Sequence, residues 1–332
     1  MIDYKEVGLT ESDLKKMYEW MDLGRKLDER MWLLNRAGKI PFVISCQGQE
    51  AAQIGMAYAM EQGDITSPYY RDLALVTALG MPVLDTMMST FGKRDDVSSG
   101  GKQMPSHFSR KESGIISQGS TVATQVLHGV GAALAMKMDG KENIALTTLG
   151  EGSSSQGDFH EGLNFAGVHK LPLICVIENN KYAISVPQNL QYASEKLSDR
   201  AIGYGMHGEQ VDGNDPIAMY KVMKEARARA LAGEGPSLIE AMCSRLTPHS
   251  SDDDDSYRTT DEKDEDKRLD CNVRFKHYLL DNGVCDEAWF DEVDQKHKDI
   301  VNKATKDAEK SSYPSIEETY THVYEEGSFQ NG

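Results

Sequence analysis

The stretch from Asn143 to Asn180 constrains the fold more than any other part of the chain. Ile144-Ala145-Leu146-Thr147-Thr148-Leu149 is a short, mostly apolar, β-prone run, the pattern of a strand covered on both faces. Gly150-Glu151-Gly152 breaks it. Asp158-Phe159-His160-Glu161 has the form of a capping box, and Leu163, Phe165, Ala166 and Val168 give the helix behind it an inner face. Leu171 to Ile177 reads as a second buried strand, closed by Glu178-Asn179-Asn180. Strand, helix and strand within about forty residues form a βαβ unit with a right-handed crossover. A third cycle follows: Asp215-Pro216 starts a helix, Gly233 to Pro236 ends it, and Ser237 to Leu246 returns as a strand. The expected fold class is α/β, a mostly parallel sheet flanked by helices, with helical extensions at both ends.

The flanks fill in one domain over 1–332. Leu14, Met17, Met21, Leu27, Met31 and Leu34 recur at helical spacing, so Thr10 to Gly38 is expected to be a helix within an N-terminal helical segment, 1–40. A second helix is expected from Gln49 to Gln62, and a short strand followed by a loop from Asp64 to Arg71. Val122 to Met138 reads as a helix rich in small residues, to be buried against another helix or another subunit. Thr247 to Asp270 is acidic and nearly without apolar residues, the composition of a long functional loop, 247–270. Helical patterning resumes in a C-terminal tail, 271–332.

Charge and cysteine usage exclude several classes. Of the formal charge of −17, −12 falls after Pro248. A nucleic-acid surface needs Lys and Arg to neutralise phosphates, so that partner class is excluded. The front of the chain is close to neutral and is the part expected to bind an anion. The five cysteines are scattered without a CxxC pair, as in reduced thiols of a cytosolic chain. With no apolar signal region and no run of about 20 apolar residues, the expectation is a cytoplasmic protein and no membrane span.

Ligands of an open parallel sheet bind outside the carboxyl ends of its strands, where Glu151 and Asn180 would both lie. One carboxylate and one amide oxygen suit magnesium, which takes its other ligands from water and substrate phosphates. The expected ligand is therefore a metal-bound diphosphate, with Gly150 and Gly152 letting backbone approach it. A plain strand-ending glycine turn, with Asn180 in a left-handed turn position, fits the same residues. Gly129-Val130-Gly131-Ala132-Ala133 looks like part of a dinucleotide fingerprint, but it lies inside a helix and not after a strand. Asp252 to Asp255 lacks the spaced ligands of a calcium loop and reads as a solvated charge run.

Asn179-Asn180 follows Gly150-Glu151-Gly152 at the spacing of a thiamine diphosphate motif, with Glu in a slot where many thiamine enzymes carry Asp. The longer strings Gly150 to Ala166 and Glu178 to Pro187 resemble the alpha subunit of the decarboxylating component of 2-oxo acid dehydrogenase complexes. Gln47 to Ala52, Tyr70-Arg71-Asp72, Gly101 to His107, Gln118 to Gln125 and Arg245 to Asp253 continue the resemblance over essentially the whole chain. Asp28 to Phe42 and Ser250 to Asp253 look closest to branched-chain members.

The resemblance implies thiamine diphosphate and Mg2+. Glu151 and Asn180 would bind the metal by side chains and Tyr182 by its carbonyl. Tyr70, Arg71, Gly150, Gly152 and Ser153 would bind the cofactor's diphosphate end, and Ser120 and Val122 its aminopyrimidine. Thr124 and Gln125 help hold a potassium ion in some relatives. His249 would be the catalytic, cofactor-side acid–base group, with His107 a second candidate more readily read as structural. Phe42, Ile44 and Tyr69 would line the substrate pocket. Some relatives carry a phosphate-touching Arg where this chain has Glu178, so that contact is lost or replaced. The implied partners are a beta subunit in an α2β2 tetramer, a lipoyl-bearing acyltransferase and a 2-oxo acid substrate. Pyruvate or acetoin chemistry, or a non-catalytic assembly role, are the alternatives.

Overall fold

The computed structural model describes residues 1–322. Ten α-helices and seven strands occur among them: α1 (Glu11–Arg36), α2 (Glu50–Ala59), β1 (Ile65–Ser67), α3 (Leu73–Ala78), α4 (Val83–Thr90), α5 (Thr124–Met138), β2 (Ala145–Gly150), α6 (Gly157–Val168), β3 (Leu173–Asn179), β4 (Tyr182–Ala183), β5 (Val186–Pro187), β6 (His207–Asp212), α7 (Pro216–Leu231), β7 (Ser237–Met242), α8 (Thr260–Arg268), α9 (Cys271–Asp281) and α10 (Glu287–Lys310). Five strands form one sheet in the order β1-β2-β3-β7-β6, every pair parallel. The strands β4 and β5 make a separate antiparallel hairpin.

Strand alternation sorts the core into two faces. Leu146, Ile174, Val176, Ile239 and Ala241 pack with α2 and α7. Ala145, Leu149, Leu173, Cys175, Ile177 and Leu238 pack with α5 and α6. The apolar stripe of α1 joins α9 and α10 in a further cluster outside α2. Thr10 and Asp13 form a capping box at the start of α1. At α7, the Asp215 carboxylate accepts from the Ile217 and Ala218 amides, and Pro216 occupies the first turn. No helix among the described residues is long and apolar enough to cross a membrane. The C-terminal tail is helical through Lys310; the expectation for residues after 322 lies outside the described residues.

Five expectations change, and the first concerns α6: its inner face is Phe159, Gly162, Leu163 and Ala166, while Phe165 and Val168 are exposed. The segment 247–270 is not a continuous loop, because α8 occupies Thr260–Arg268 with a Thr259/Glu262 capping box. The Asp252–Asp255 run is only half solvated: Asp255 is buried against Arg245 and Arg258, and Asp253 accepts from the His249 amide. The proposed capping box at Asp158 is absent, since α6 starts at Gly157 without a side-chain cap and Asp158 accepts from the Thr124 hydroxyl instead. Edge strand β6 was not anticipated, because its largely exposed His-Gly-Glu-Gln sequence has no apolar pattern.

Candidate active site

Register brings the chemistry together. Gly150 is paired with Glu178 across β2 and β3, so Glu151 and Asn180 leave the sheet side by side at its carboxyl edge. There they line a cavity of about 440 Å³. Gly150, Gly152, Ser153 and the Tyr182 residue form the same wall. Tyr70, Arg71, His249, Ser120 and Val122 also line it, with the apolar groups of Phe42, Ile44 and Tyr69. Every residue assigned to the site from the sequence thus borders one space, except the proposed potassium pair. Thr124 donates to Asp158, and the Gln125 amide donates to the Thr148 carbonyl, both outside the cavity wall.

Glu151 is almost fully buried, and burial raises its carboxyl above the usual range. Its oxygens receive two long bonds, from the Asn180 amide at 3.3 Å and from Gln191 Nε2 at 3.3 Å. The Asn180 side-chain oxygen is oriented by the Tyr182 amide, also at 3.3 Å. Close approach here requires glycine: a Cβ on Gly152 would lie 2.5 Å from the Ala183 Cβ. Among the described residues no group of three or more His, Cys, Asp or Glu side chains could hold a metal. The donor set is therefore one carboxylate with amide and carbonyl oxygens, which suits magnesium completed by phosphate and water.

Arg71 supplies the complementary charge. It is 2% exposed, and its guanidinium bonds to carbonyl and imidazole groups, with the Glu178 and Glu151 carboxylates near enough to favour its charge. Its protein contacts are the Ser45 carbonyl at 2.6 Å and His249, whose Nδ1 lies 3.3 Å away. Burial opposes that charge, but the neighbouring Tyr70, Tyr69, Glu178 and Glu151 outweigh burial and keep the guanidinium charged, available to a ligand diphosphate. The residues fit a magnesium diphosphate group.

The same contact sets the state of His249. Arg can only donate, so Nδ1 accepts and the ring proton sits on Nε2. Burial, then the charges of Arg71 and Arg245, push the imidazole down to about 3. At neutral pH His249 is an uncharged N–H donor. His107 also borders the cavity, with Nε2 2.9 Å from the Ser120 hydroxyl and Nδ1 buried without a partner.

Tyr69 and Glu178 meet behind the cavity wall. Tyr69 offers its ring to the cavity, but its hydroxyl turns away to Gln49 at 3.0 Å and Glu178 at 3.2 Å. Glu178 does not line the cavity; Gln53 donates to it at 3.0 Å. The sequence reading missed Gln191, which belongs to no motif, and missed Ile184 as part of the apolar wall.

The family described as Dehydrogenase E1 component matches residues 18–317. The chain belongs to the dehydrogenase E1 component family. It is 54% identical over 327 residues to the 2-oxoisovalerate dehydrogenase subunit alpha of Bacillus subtilis (strain 168), covering 97% of this chain and 98% of that protein. It is 39% identical over 320 residues to the pyruvate dehydrogenase E1 component subunit alpha of Staphylococcus aureus (strain Mu50), covering 96% and 84%. The Staphylococcus epidermidis subunit of the same name matches at 39% over the same shares. Glu151, Asn180 and Arg71 all stand in the wall of one cavity.

Proposed function

We propose that the chain is the alpha subunit of a branched-chain 2-oxo acid dehydrogenase E1 component, acting in the cytoplasm. The reaction is oxidative decarboxylation of a branched-chain 2-oxo acid, with the acyl group passed to lipoyl-lysine of an acyltransferase component. What supports this reading above all is one cavity with the buried guanidinium of Arg71 and the buried, weakly bonded carboxylate of Glu151 in its walls. The chain is completed by a beta subunit in an α2β2 tetramer.

In this reading Glu151, the Asn180 amide oxygen and the Tyr182 carbonyl hold Mg2+. Arg71 and Tyr70, with the backbone of Gly150, Gly152 and Ser153, hold the diphosphate, and Ser120 and Val122 face the aminopyrimidine. The chemistry that thiamine diphosphate supplies when bound is an electron sink for cleaving the bond between the 2-oxo carbon and its carboxylate. His249 presents its Nε2–H as a neutral donor to substrate oxygens, held at that tautomer by Arg71. Phe42, Ile44, the Tyr69 ring and Ile184 exclude water and receive the branched side chain.

Two measurements test the reading. In the assembled tetramer, Glu151→Ala should abolish Mg2+-dependent thiamine diphosphate binding by calorimetry; unchanged binding would leave a non-catalytic assembly subunit. Comparing kcat/KM for 3-methyl-2-oxobutanoate and pyruvate tests substrate choice. Each methylene in an apolar pocket is worth about 1–3 kcal/mol, so the branched substrate should lead by roughly tenfold or more. Equal or reversed efficiency would make this a pyruvate or acetoin enzyme.

A further inference from the structure

We propose that Gln191 is a positioning residue of the cation site, holding the Glu151 carboxylate with its amide N–H and offering its amide oxygen to a cation-bound water; this rests on the reading of the site given above.

The two oxygens of Glu151 are held from two directions. Oε2 accepts from the Asn180 backbone at the end of β3, and Oε1 accepts from the Gln191 side chain, each at 3.3 Å. The first contact follows from the sheet. The second comes from a residue beyond the β4–β5 hairpin, and its removal would leave one oxygen of a buried carboxylate without a donor. Gln191 Nε2 also donates to the Val186 carbonyl at 2.8 Å. Both N–H bonds of the amide are thereby used, one on the carboxylate and one on the hairpin.

Those two donations also fix which end of the amide is oxygen. The reverse orientation would set a carbonyl oxygen against the Glu151 carboxylate and the Val186 carbonyl, two acceptors with no proton between them. The Gln191 Oε1 is then left buried and without any partner. It lies beside the Gly150–Gly152 turn, where a Cβ built on Gly152 would approach it to 3.7 Å. A buried carbonyl oxygen left unpaired is destabilising, so it favours a donor that the described residues do not provide. Magnesium keeps several waters, and each is a strong donor toward such an oxygen. The orphaned oxygen and the weakly held carboxylate call for the same ligand.

The test is calorimetric titration of thiamine diphosphate into the assembled tetramer at graded Mg2+. Partners that orient a metal ligand are typically worth 10–100-fold in metal affinity, so Gln191→Leu should raise the half-saturating Mg2+ concentration by about 10-fold or more. Gln191→Glu separates action on the cation from tethering of the hairpin. It loses both amide donations and sets a second carboxylate against Glu151, a repulsion that a bound cation relieves, so it should need less Mg2+ than Gln191→Leu. Equal weakening in the two variants would reduce Gln191 to a hairpin tether and overturn the proposal. So would a Gln191→Leu value within about twofold of the parent while Glu151→Ala loses Mg2+ dependence. If Glu151→Ala itself retained the parent's Mg2+ dependence, the cation-site reading would fall and the role of Gln191 with it.

Discussion

Helices α2 and α5 lie on opposite faces of the same sheet and are covered to different depths. Every residue of α2 except Tyr58 is buried, because α1 and α9 close over it from outside. Helix α5 is buried only on its sheet side, through residues such as Val126, Val130 and Ala133. Its outer side carries Leu127, Gly131, Ala135 and Met138, spaced to fall on one stripe and all exposed. Phe165 and Val168 of α6 are exposed on the same face of the sheet. Elaboration of both chain ends has finished one face as protein interior, while the other has only its first layer. The finished face should respond to substitution through folding, and the other through assembly.

The largest effect is expected on the finished face. Arg25 of α1 donates to the fully buried Glu50 of α2 at 2.5 Å and, through two nitrogens at 3.0 Å, to Asp270 at the start of α9. Glu50 in turn accepts from the Gly48 amide at 2.7 Å. Gly48 has φ +95, and a Cβ there would lie 2.6 Å from the Ser244 carbonyl oxygen, so no other residue fits that turn. Removing one partner from a buried ion pair costs about 3–5 kcal/mol, because the other charge stays buried and uncompensated. Arg25→Met should lower the stability measured by urea unfolding by that amount. A loss below about 1 kcal/mol would mean that the three helices are not locked through this cluster.

Asp28 gives the same face a pH signature. It is fully buried on α1 and accepts from the Ser45 hydroxyl, the Cys46 amide and Gln47 Nε2. Burial outweighs these donors and raises its carboxyl from 3.8 to about 6. An acid whose folded value is raised binds a proton in the folded chain that the unfolded chain lacks between those two values. Its contribution to stability therefore increases as pH falls from about 7 toward about 4, by at most about 3 kcal/mol. Urea unfolding of the parent and of Asp28→Asn over that range should diverge, with the parent gaining relative to the variant as pH drops. Parallel curves would show that Asp28 keeps an ordinary carboxylate value in the folded chain.

The parts of this architecture that could be read in advance are those whose signals are local. Ile144–Leu149 and Leu171–Ile177 are apolar, β-prone and stopped by Gly or Asn, so the two central strands and the carboxyl edge between them follow from the chain itself. Glu151 and Asn180 were placed by that argument; Ser120, Val122 and Arg71 needed the family resemblance, because nothing in their neighbourhood points to a cavity. Helix α8 was hidden because Asp266 is its one buried residue, held by Arg258 and not by an apolar stripe. Asp255 misled for the same reason. Its burial depends on Arg245 and Arg258, a tertiary fact that a run of aspartates conceals. Gln191 carries no motif, and its role exists only through where the β4–β5 hairpin returns.

The unfinished face supplies the smallest effect on folding and the cleanest separation of the two. Met138 is 79% exposed and Val168 is 70% exposed, so a charge at either displaces little packing within the chain. Surface changes away from special features usually stay within about 0.5 kcal/mol, and Met138→Glu should leave the urea midpoint unchanged on that scale. Against a partner's apolar surface the same carboxylate would be stripped of water without a counter-charge, which complexes do not tolerate. Sedimentation of Met138→Glu with the beta subunit should therefore show separated chains under conditions where the parent chain associates with it. Intact assembly would move the partner to another surface. A fall in midpoint comparable to that of Arg25→Met would show instead that α5 is as much a part of the folded core as α2, and the contrast between the faces would disappear.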